Sequence, residues 1–132
     1  MTKVGALKQG RGSPAGGWNA CKELSTAEIG RAAEEVAVGF LVKHHVRVLA
    51  RNLKVGRGEV DILASIAGTR LVVEVRSVRQ GAEWIDPAKA FDEAKSRQVG
   101  SLAGQIGVGR VDLVTVSFSA AGVGVHWLPW AT

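Results

Sequence analysis

Three charged side chains interrupt the most apolar segments of the sequence: Asp61, Glu74 and Arg76. Glu74 and Arg76 are two residues apart in the strand-like run TRLVVEVRS, so the alternation of a β-strand places them on one face. If a hairpin pairs this run with the segment GEVDILAS, the carboxyl groups of Asp61 and Glu74 meet near one edge of the sheet. Two adjacent carboxylates repel each other, and a hard cation such as Mg²⁺ relieves that repulsion by binding their oxygens.

A divalent cation held in this way polarises a phosphodiester and lowers the pKa of a bound water, which becomes the attacking nucleophile. A cationic side chain beside the metal stabilises the negative charge that develops on the phosphate. The spacing also fits an ordinary alternative, in which the two carboxylates only form ion pairs on a solvated sheet face. The partners in that alternative are Arg57, Arg70 and Arg76. The spacing by itself leaves both interpretations open.

A helix is predicted to precede these strands. Ser25 and Glu28 match a capping box, S-x-x-E, which satisfies unpaired amides of a first helical turn. Apolar residues at the spacing of a helix then continue to about Lys43. This stripe consists of Ile29, Ala33, Val36 and Phe40. Glu34 lies at the edge of the stripe, an unusual place for a carboxylate.

Strand patterns occupy residues 46–51, 58–65 and 69–77, and Ala67-Gly68 is typical of a hairpin turn between the last two. A second helix is predicted to begin at Asp86-Pro87, since aspartate caps a first turn and proline fits the first helical position. The glycines from 104 to 109 end it.

Two more strand patterns follow, at residues 110–118 and at 123–128, and the latter is predicted to be an edge strand. The resulting order, α-β-β-β-α-β-β, indicates one α/β domain over residues 25–132. Residues 1–24 are predicted to form a flexible basic arm, because closely spaced glycines and a proline break regular elements.

The net charge of +5 favours a polyanionic partner such as nucleic acid, with a solvated basic surface as the alternative. The single cysteine, Cys21, excludes an intramolecular disulfide, and no apolar run approaches the ~18 residues of a membrane span. The N-terminal segment lacks the apolar region of a signal peptide. We therefore expect a cytoplasmic protein that does not bind membranes.

A run of basic residues between the first helix and the second strand provides candidate contacts to a phosphate backbone. The candidates are Arg47, Arg51, Lys54 and Arg57, together with Arg79 further along the chain. Trp127 and Trp130 are predicted to cover the core, and stacking on bases is the alternative.

Several of these segments together resemble the YraN family of bacterial proteins, also designated UPF0102. The matching segments are GRAAEE (30–35), NLKVGRGEVDILA (52–64), VVEVRSVR (72–79) and RVDLVTV (110–116). They extend over roughly two thirds of the chain. The resemblance implies an α/β fold with a restriction-endonuclease-like, PD-(D/E)xK, core of order αβββαβ, in which helices flank a mixed central sheet.

The resemblance also implies a catalytic site. Asp61 and Glu74 match the acidic residues that bind Mg²⁺ or Mn²⁺ in PD-(D/E)xK nucleases, and Glu34 matches a helix glutamate that completes the site in resolvase-like members. Arg76 stands where that superfamily has its catalytic lysine. Arginine stays protonated at any working pH, so Arg76 can stabilise phosphate charge but cannot act as a base.

Lys95 and Arg79 are candidates to supply the missing ammonium, and plain surface charges are the alternative. The expected function is metal-dependent phosphodiester hydrolysis, a hydrolase activity on branched or otherwise structured DNA. Two alternatives stay open: a DNA-binding protein that no longer cleaves, and an interaction module with a vestigial site. A homodimer is a further expectation from the resemblance.

Overall fold

A computed structural model describes residues 4–9, 25–79 and 92–131. The helices and strands, in chain order, are β1 (Val4–Gln9), α1 (Thr26–Lys43), β2 (Arg47–Val55), β3 (Gly58–Ile66), β4 (Thr69–Arg79), α2 (Glu93–Gln105), β5 (Val111–Ser119) and β6 (Gly122–Leu128). No helix in these described ranges combines the length and apolar character needed to cross a membrane.

The described strands form one six-stranded sheet with the order β1-β6-β5-β4-β3-β2. The pair β4–β5 is parallel, and the other four pairs are antiparallel. The parallel pair is joined by the segment that contains α2, as a parallel connection requires. From α1 to β5 the order is αβββαβ, so the predicted mixed α/β core is confirmed.

The two helices cover opposite faces of the sheet, because alternate residues of β4 enter different apolar clusters. Leu71 and Val73 pack with buried residues of α1, whereas Val72 packs with buried residues of α2. The α1 residues are Ile29, Ala33, Ala37, Phe40 and Leu41, and the α2 residues are Val99, Leu102 and Ala103. The strand is therefore buried on both faces, as its continuous apolar sequence requires.

The start of α1 confirms the capping box. The Ser25 hydroxyl accepts a hydrogen bond from the Glu28 amide at 3.2 Å, and Glu28 Oε1 accepts one from the Ser25 amide at 3.0 Å. The predicted hairpin turn is also present between β3 and β4. Ala67 and Gly68 both have positive φ, 48° and 86°, which matches the right-handed twist of the paired strands.

The N-terminal segment differs from its prediction. Val4–Gln9 is strand β1 and pairs antiparallel with β6, so this part of residues 1–24 is not a flexible arm. For the same reason β6 is not an edge strand. The backbone N–H and C=O groups along one side of β6 can form hydrogen bonds with a strand of almost any sequence. The spacing of apolar residues therefore does not predict this pairing. Residues 1–3 and 10–24 lie outside the described residues.

Asp86-Pro87 also lies outside the described residues, so the predicted helix entry there is untested. The described helix α2 begins after Asp92, whose carboxylate accepts a hydrogen bond from the Lys95 amide at 2.8 Å. This cap fixes the first turn of α2, and with it the position of Lys95, next to the carboxyl-terminal half of β4.

Candidate active site

A cleft of about 1130 Å³ opens between the first half of α1, strands β2 to β4 and the start of α2. Charged side chains dominate its lining among the described residues. The acidic ones are Glu34, Glu35, Glu59, Asp61 and Glu74, and the basic ones are Arg31, Arg51, Arg76 and Lys95. All four predicted catalytic residues therefore border one cleft.

Asp61 is positioned by the point at which two strands separate. The ladder between β3 and β4 ends at the pair Ile62–Val73, so the amide of Val75 has no backbone partner on β3. Asp61 Oδ2 accepts a hydrogen bond from that amide at 2.9 Å. The interaction anchors one carboxylate oxygen of Asp61 to the strand that carries Glu74.

Glu74 is almost completely buried, with 4% of its surface exposed. Its pKa is raised to about 7, first by burial and then by the charge of Asp61 and a hydrogen bond with Asp61, against the opposing effects of Lys95 and Arg76. The carboxyl groups of Asp61 and Glu74 thus lie within hydrogen-bonding reach of each other. Without a cation between them, the folded protein favours a proton on Glu74.

This donor set fits a hard divalent cation. A cation beside two adjacent carboxylates favours their ionised forms and removes the repulsion that otherwise favours a proton. In the described ranges no three His, Cys, Asp or Glu side chains form a metal-binding group. Mg²⁺ commonly binds through only one or two carboxylates and keeps several waters, so Asp61 and Glu74 suffice.

Glu34 approaches the pair from α1. It is partly buried, and its pKa is raised first by that burial and then by the negative charge of Asp61. Its neighbour Ala33 belongs to the apolar cluster, so the helix holds Glu34 against the sheet edge. Glu34 therefore contributes a third negative charge to the space in front of Asp61.

Two cations from different elements approach the same carboxylate oxygen. Arg76 Nη2 lies 3.6 Å from Glu74 Oε2, and Lys95 Nζ lies 3.5 Å from it. Both side chains are about one-third exposed. The Arg76 Nε atom is buried and has no acceptor among the described residues, so the exposed part of this side chain belongs to the rest of the guanidinium and its stem.

The predicted nucleic-acid-binding residues do not form one surface in the cleft. Arg51 lines it, and its guanidinium is 2.6 Å from Glu35 Oε1. Arg47, Lys54 and Arg57 are exposed but are not among the residues that line the cleft. The Arg79 side chain lies outside what the structure describes.

Sequence reasoning missed Asn52 and Glu59, which also line the cleft. Asn52 has φ of 52°, a left-handed conformation that asparagine tolerates better than most residues. The sequence feature that could have identified Asn52 was its position shortly before β3, the strand that carries Glu59 and Asp61. Lys95 was identified only as one possible ammonium, because a lysine at the start of a helix usually indicates no more than surface charge.

Of the two described tryptophans, Trp127 covers the core as predicted, whereas Trp130 does not. Trp127 is buried, and its indole N–H donates to Asp112 Oδ2 at 2.8 Å, while its ring meets Phe40 edge to face. Trp130 is half exposed, and the Arg110 guanidinium lies 4.8 Å from its ring centre. Neither residue is among those that line the cleft.

The sequence matches the model of a known protein family. The model of Uncharacterised protein family UPF0102 matches residues 33–116. A UPF0102 protein of Symbiobacterium thermophilum is 36% identical over 75 residues, which cover 57% of this chain and 63% of the relative. This match therefore spans slightly less than two thirds of that relative.

Other relatives are matched over more of their length. A UPF0102 protein of Thermotoga neapolitana is 37% identical over 94 residues, covering 66% of this chain and 85% of the relative. One of Clavibacter michiganensis is 31% identical over 103 residues, covering 72% and 86%. Among solved structures, Pyrococcus furiosus SfsA in complex with Ca²⁺ matches with 13% identity and a TM-score of 0.37, over 80% of this chain and 64% of that one.

Proposed function

The chain belongs to Uncharacterised protein family UPF0102, and on that premise we propose that it is a divalent-metal-dependent phosphodiesterase acting on branched or otherwise structured DNA. The observation that carries the proposal is the contact between Asp61 and the buried Glu74 at the floor of a charged cleft. A buried like-charged pair is costly to maintain unless it binds a cation or shares a proton. Such pairs are therefore typical of functional sites.

Asp61 and Glu74 are the residues that would hold Mg²⁺ or Mn²⁺. When bound there, the ion polarises a phosphate and lowers the pKa of a water for attack on phosphorus. The protein's own contribution is orientation: the Val75 amide holds Asp61, while Lys95 and Arg76 hold Glu74 from two sides.

Arg76 and Lys95 provide positive charge next to the carboxylates. The partly exposed guanidinium of Arg76 donates to a phosphate oxygen in our proposal, and the ammonium of Lys95 lies beside the carboxylate of Glu74 that Arg76 also approaches. Both groups stabilise charge that develops on the phosphate in the transition state. Lys95 on α2 thus supplies an ammonium group, whereas Arg76 on β4 supplies a guanidinium.

The charges of the cleft also bear on whether DNA binding requires the metal. Five acidic and four basic side chains line it among the described residues, so the metal-free cleft does not attract a phosphate backbone. A bound divalent cation reverses this balance. We therefore expect binding of DNA at the cleft to require the metal.

A panel of DNA substrates tests the proposal: a four-way junction, a flap, a linear duplex and a single strand, each with Mg²⁺, Mn²⁺, Ca²⁺ or a chelator. We expect cleavage of a structured substrate with Mg²⁺ or Mn²⁺ and none with the chelator. Asp61→Asn should lower the rate on the order of 100-fold or more. Glu93→Gln removes an exposed carboxylate of α2 whose side chain is 88% exposed, and serves as the matched control with unchanged activity.

One observation favours a second function, DNA binding without cleavage. Arg76 keeps its proton and cannot activate water, so the site can hold phosphate without hydrolysing it. Salt-dependent binding of the same substrates, with no product under any metal, would support this second function and overturn the first. No binding and no cleavage would overturn both.

A further inference from the structure

Asn52 connects two acidic side chains from different elements. With its amide nitrogen facing them, that nitrogen lies 3.0 Å from Glu59 Oε1 on β3 and 3.2 Å from both carboxylate oxygens of Glu34 on α1. The opposite amide orientation would place the amide oxygen against those three carboxylate oxygens. The side chain of one residue on β2 therefore joins a helix to a neighbouring strand across the cleft.

An amide suits this position for a physical reason. Its two N–H groups can donate to two carboxylates at once, and they carry no net charge. A lysine or arginine here would also neutralise the carboxylates, and it would then compete with a divalent cation for them. Asn52 instead offsets part of the repulsion between Glu34 and Glu59 without adding a positive charge.

The backbone of β2 is adapted to this contact. Residues 51 and 52 are both exposed, which breaks the alternation of the strand, and Asn52 adopts a φ of 52°. As a result the consecutive residues Arg51 and Asn52 both line the cleft, although a regular pleat would direct them to opposite faces. A left-handed residue inside a strand is uncommon outside functional or turn positions.

We propose that Asn52 is a positioning residue whose amide holds Glu34 beside Asp61, so that Glu34 helps to retain the divalent cation and its waters. This inference rests on the proposed function, because it assigns Glu34 a role toward the metal. Asn52 itself does not touch the metal. It acts through Glu34, and Glu59 accepts a hydrogen bond from the same amide group.

The test compares Mn²⁺ affinity, measured by titration calorimetry, in the full-length protein and in variants. Asn52→Gly keeps the left-handed backbone accessible and removes the amide. We expect its Mn²⁺ affinity to fall about 10-fold, as is common when a residue that orients a metal ligand is lost. Ala67→Gly is the matched control, because Ala67 also has a positive φ of 48° and lies in the β3–β4 hairpin turn.

A double variant shows whether Asn52 acts through Glu34. Asn52→Gly should have little further effect on Mn²⁺ affinity when Glu34→Gln is already present, since coupled residues are not additive. Unchanged Mn²⁺ affinity in Asn52→Gly, or loss of thermal stability alone, would overturn the positioning role while leaving the proposed function intact. Absence of Mn²⁺ binding by the unmodified protein would overturn the proposed function and this inference together.

Discussion

Glu74 occupies the environment that differs most from water among the acidic residues of the cleft. Its neighbours are Asp61, which disfavours its charge, and two cations, Arg76 and Lys95, which favour it. Burial has the largest effect, so the neutral form persists to about neutral pH. The protonation of this one residue therefore links folding to pH and, in the proposed function, to metal binding.

The metal-free protein should lose stability as the pH rises. The pKa of Glu74 is about 7 in the folded state and 4.5 in its unperturbed state. A pKa that is higher in the folded state contributes stability that is fully present below the unfolded value and is lost as the pH rises through the folded value. We expect this loss to reach roughly 3 kcal/mol between about pH 4.5 and pH 7.

Urea unfolding with a chelator, near pH 5 and near pH 8, measures this loss. Glu74→Gln is neutral at both values and should show a smaller decrease. Mn²⁺ should restore stability to the unmodified protein at the higher pH, because it binds the ionised carboxylates. The same pH dependence in the protein and in Glu74→Gln would contradict the assignment to Glu74.

Asp61, Glu74 and Arg76 were detectable from the sequence, because a charge inside an apolar strand is costly unless it has a partner. Asn52 and Lys95 were not detectable in the same way. Both lie on exposed or partly exposed surface, where polar residues are ordinary. Their proximity to the acidic residues depends on β2 pairing with β3 and on the start of α2 lying beside β4, which no local pattern encodes.

The geometry of the site depends on where the β3–β4 ladder ends and where α2 begins. The first half of α1, the end of the β3–β4 ladder and the first turn of α2 all meet at the cleft. Helix ends and strand ends leave backbone groups unpaired, and side chains such as Asp61 and Asp92 bond them. The same bonds fix the directions of the charged side chains nearby.

Loss of the capping box should weaken α1 and, with it, the cleft. Ser25→Ala removes the hydroxyl that accepts from the Glu28 amide, and we expect a loss of about 1 kcal/mol in the free energy of unfolding. Ser25→Asp retains a capping acceptor and should preserve most of the stability. Chemical denaturation compares them, and equal unfolding free energies for Ser25→Ala and the unmodified protein would contradict the role of the cap.

The whole molecule is organised around a mixed sheet that is covered on both faces. The parallel pair β4–β5 is central, and antiparallel strands extend it on both sides to β2 and β1. The sheet brings together segments from both ends of the chain, since β1 pairs with β6. The N-terminal segment is thus part of the described domain.

Removal of residues 1–9 should therefore destabilise the domain. The deletion takes away β1 and leaves the backbone of one side of β6 without its strand partner, at a cost on the order of 2 kcal/mol. A deletion of residues 1–3, which leaves β1 complete, is the matched control. Thermal unfolding distinguishes them, and equal midpoints for the two deletions would show that β1 adds no stability.

The sequence by itself determined the helix α1 and its cap, the β3–β4 hairpin, and the identity of the charged residues in the apolar strands. These features depend on neighbours within a few residues, so periodicity and turn chemistry reveal them. Only the tertiary structure decided that β1 joins the sheet, that Asp61 bonds the Val75 amide, and that Asn52 and Lys95 reach the acidic residues. Those contacts depend on pairing between distant segments, where the energy comes from burial and backbone bonding that no local pattern of residues specifies.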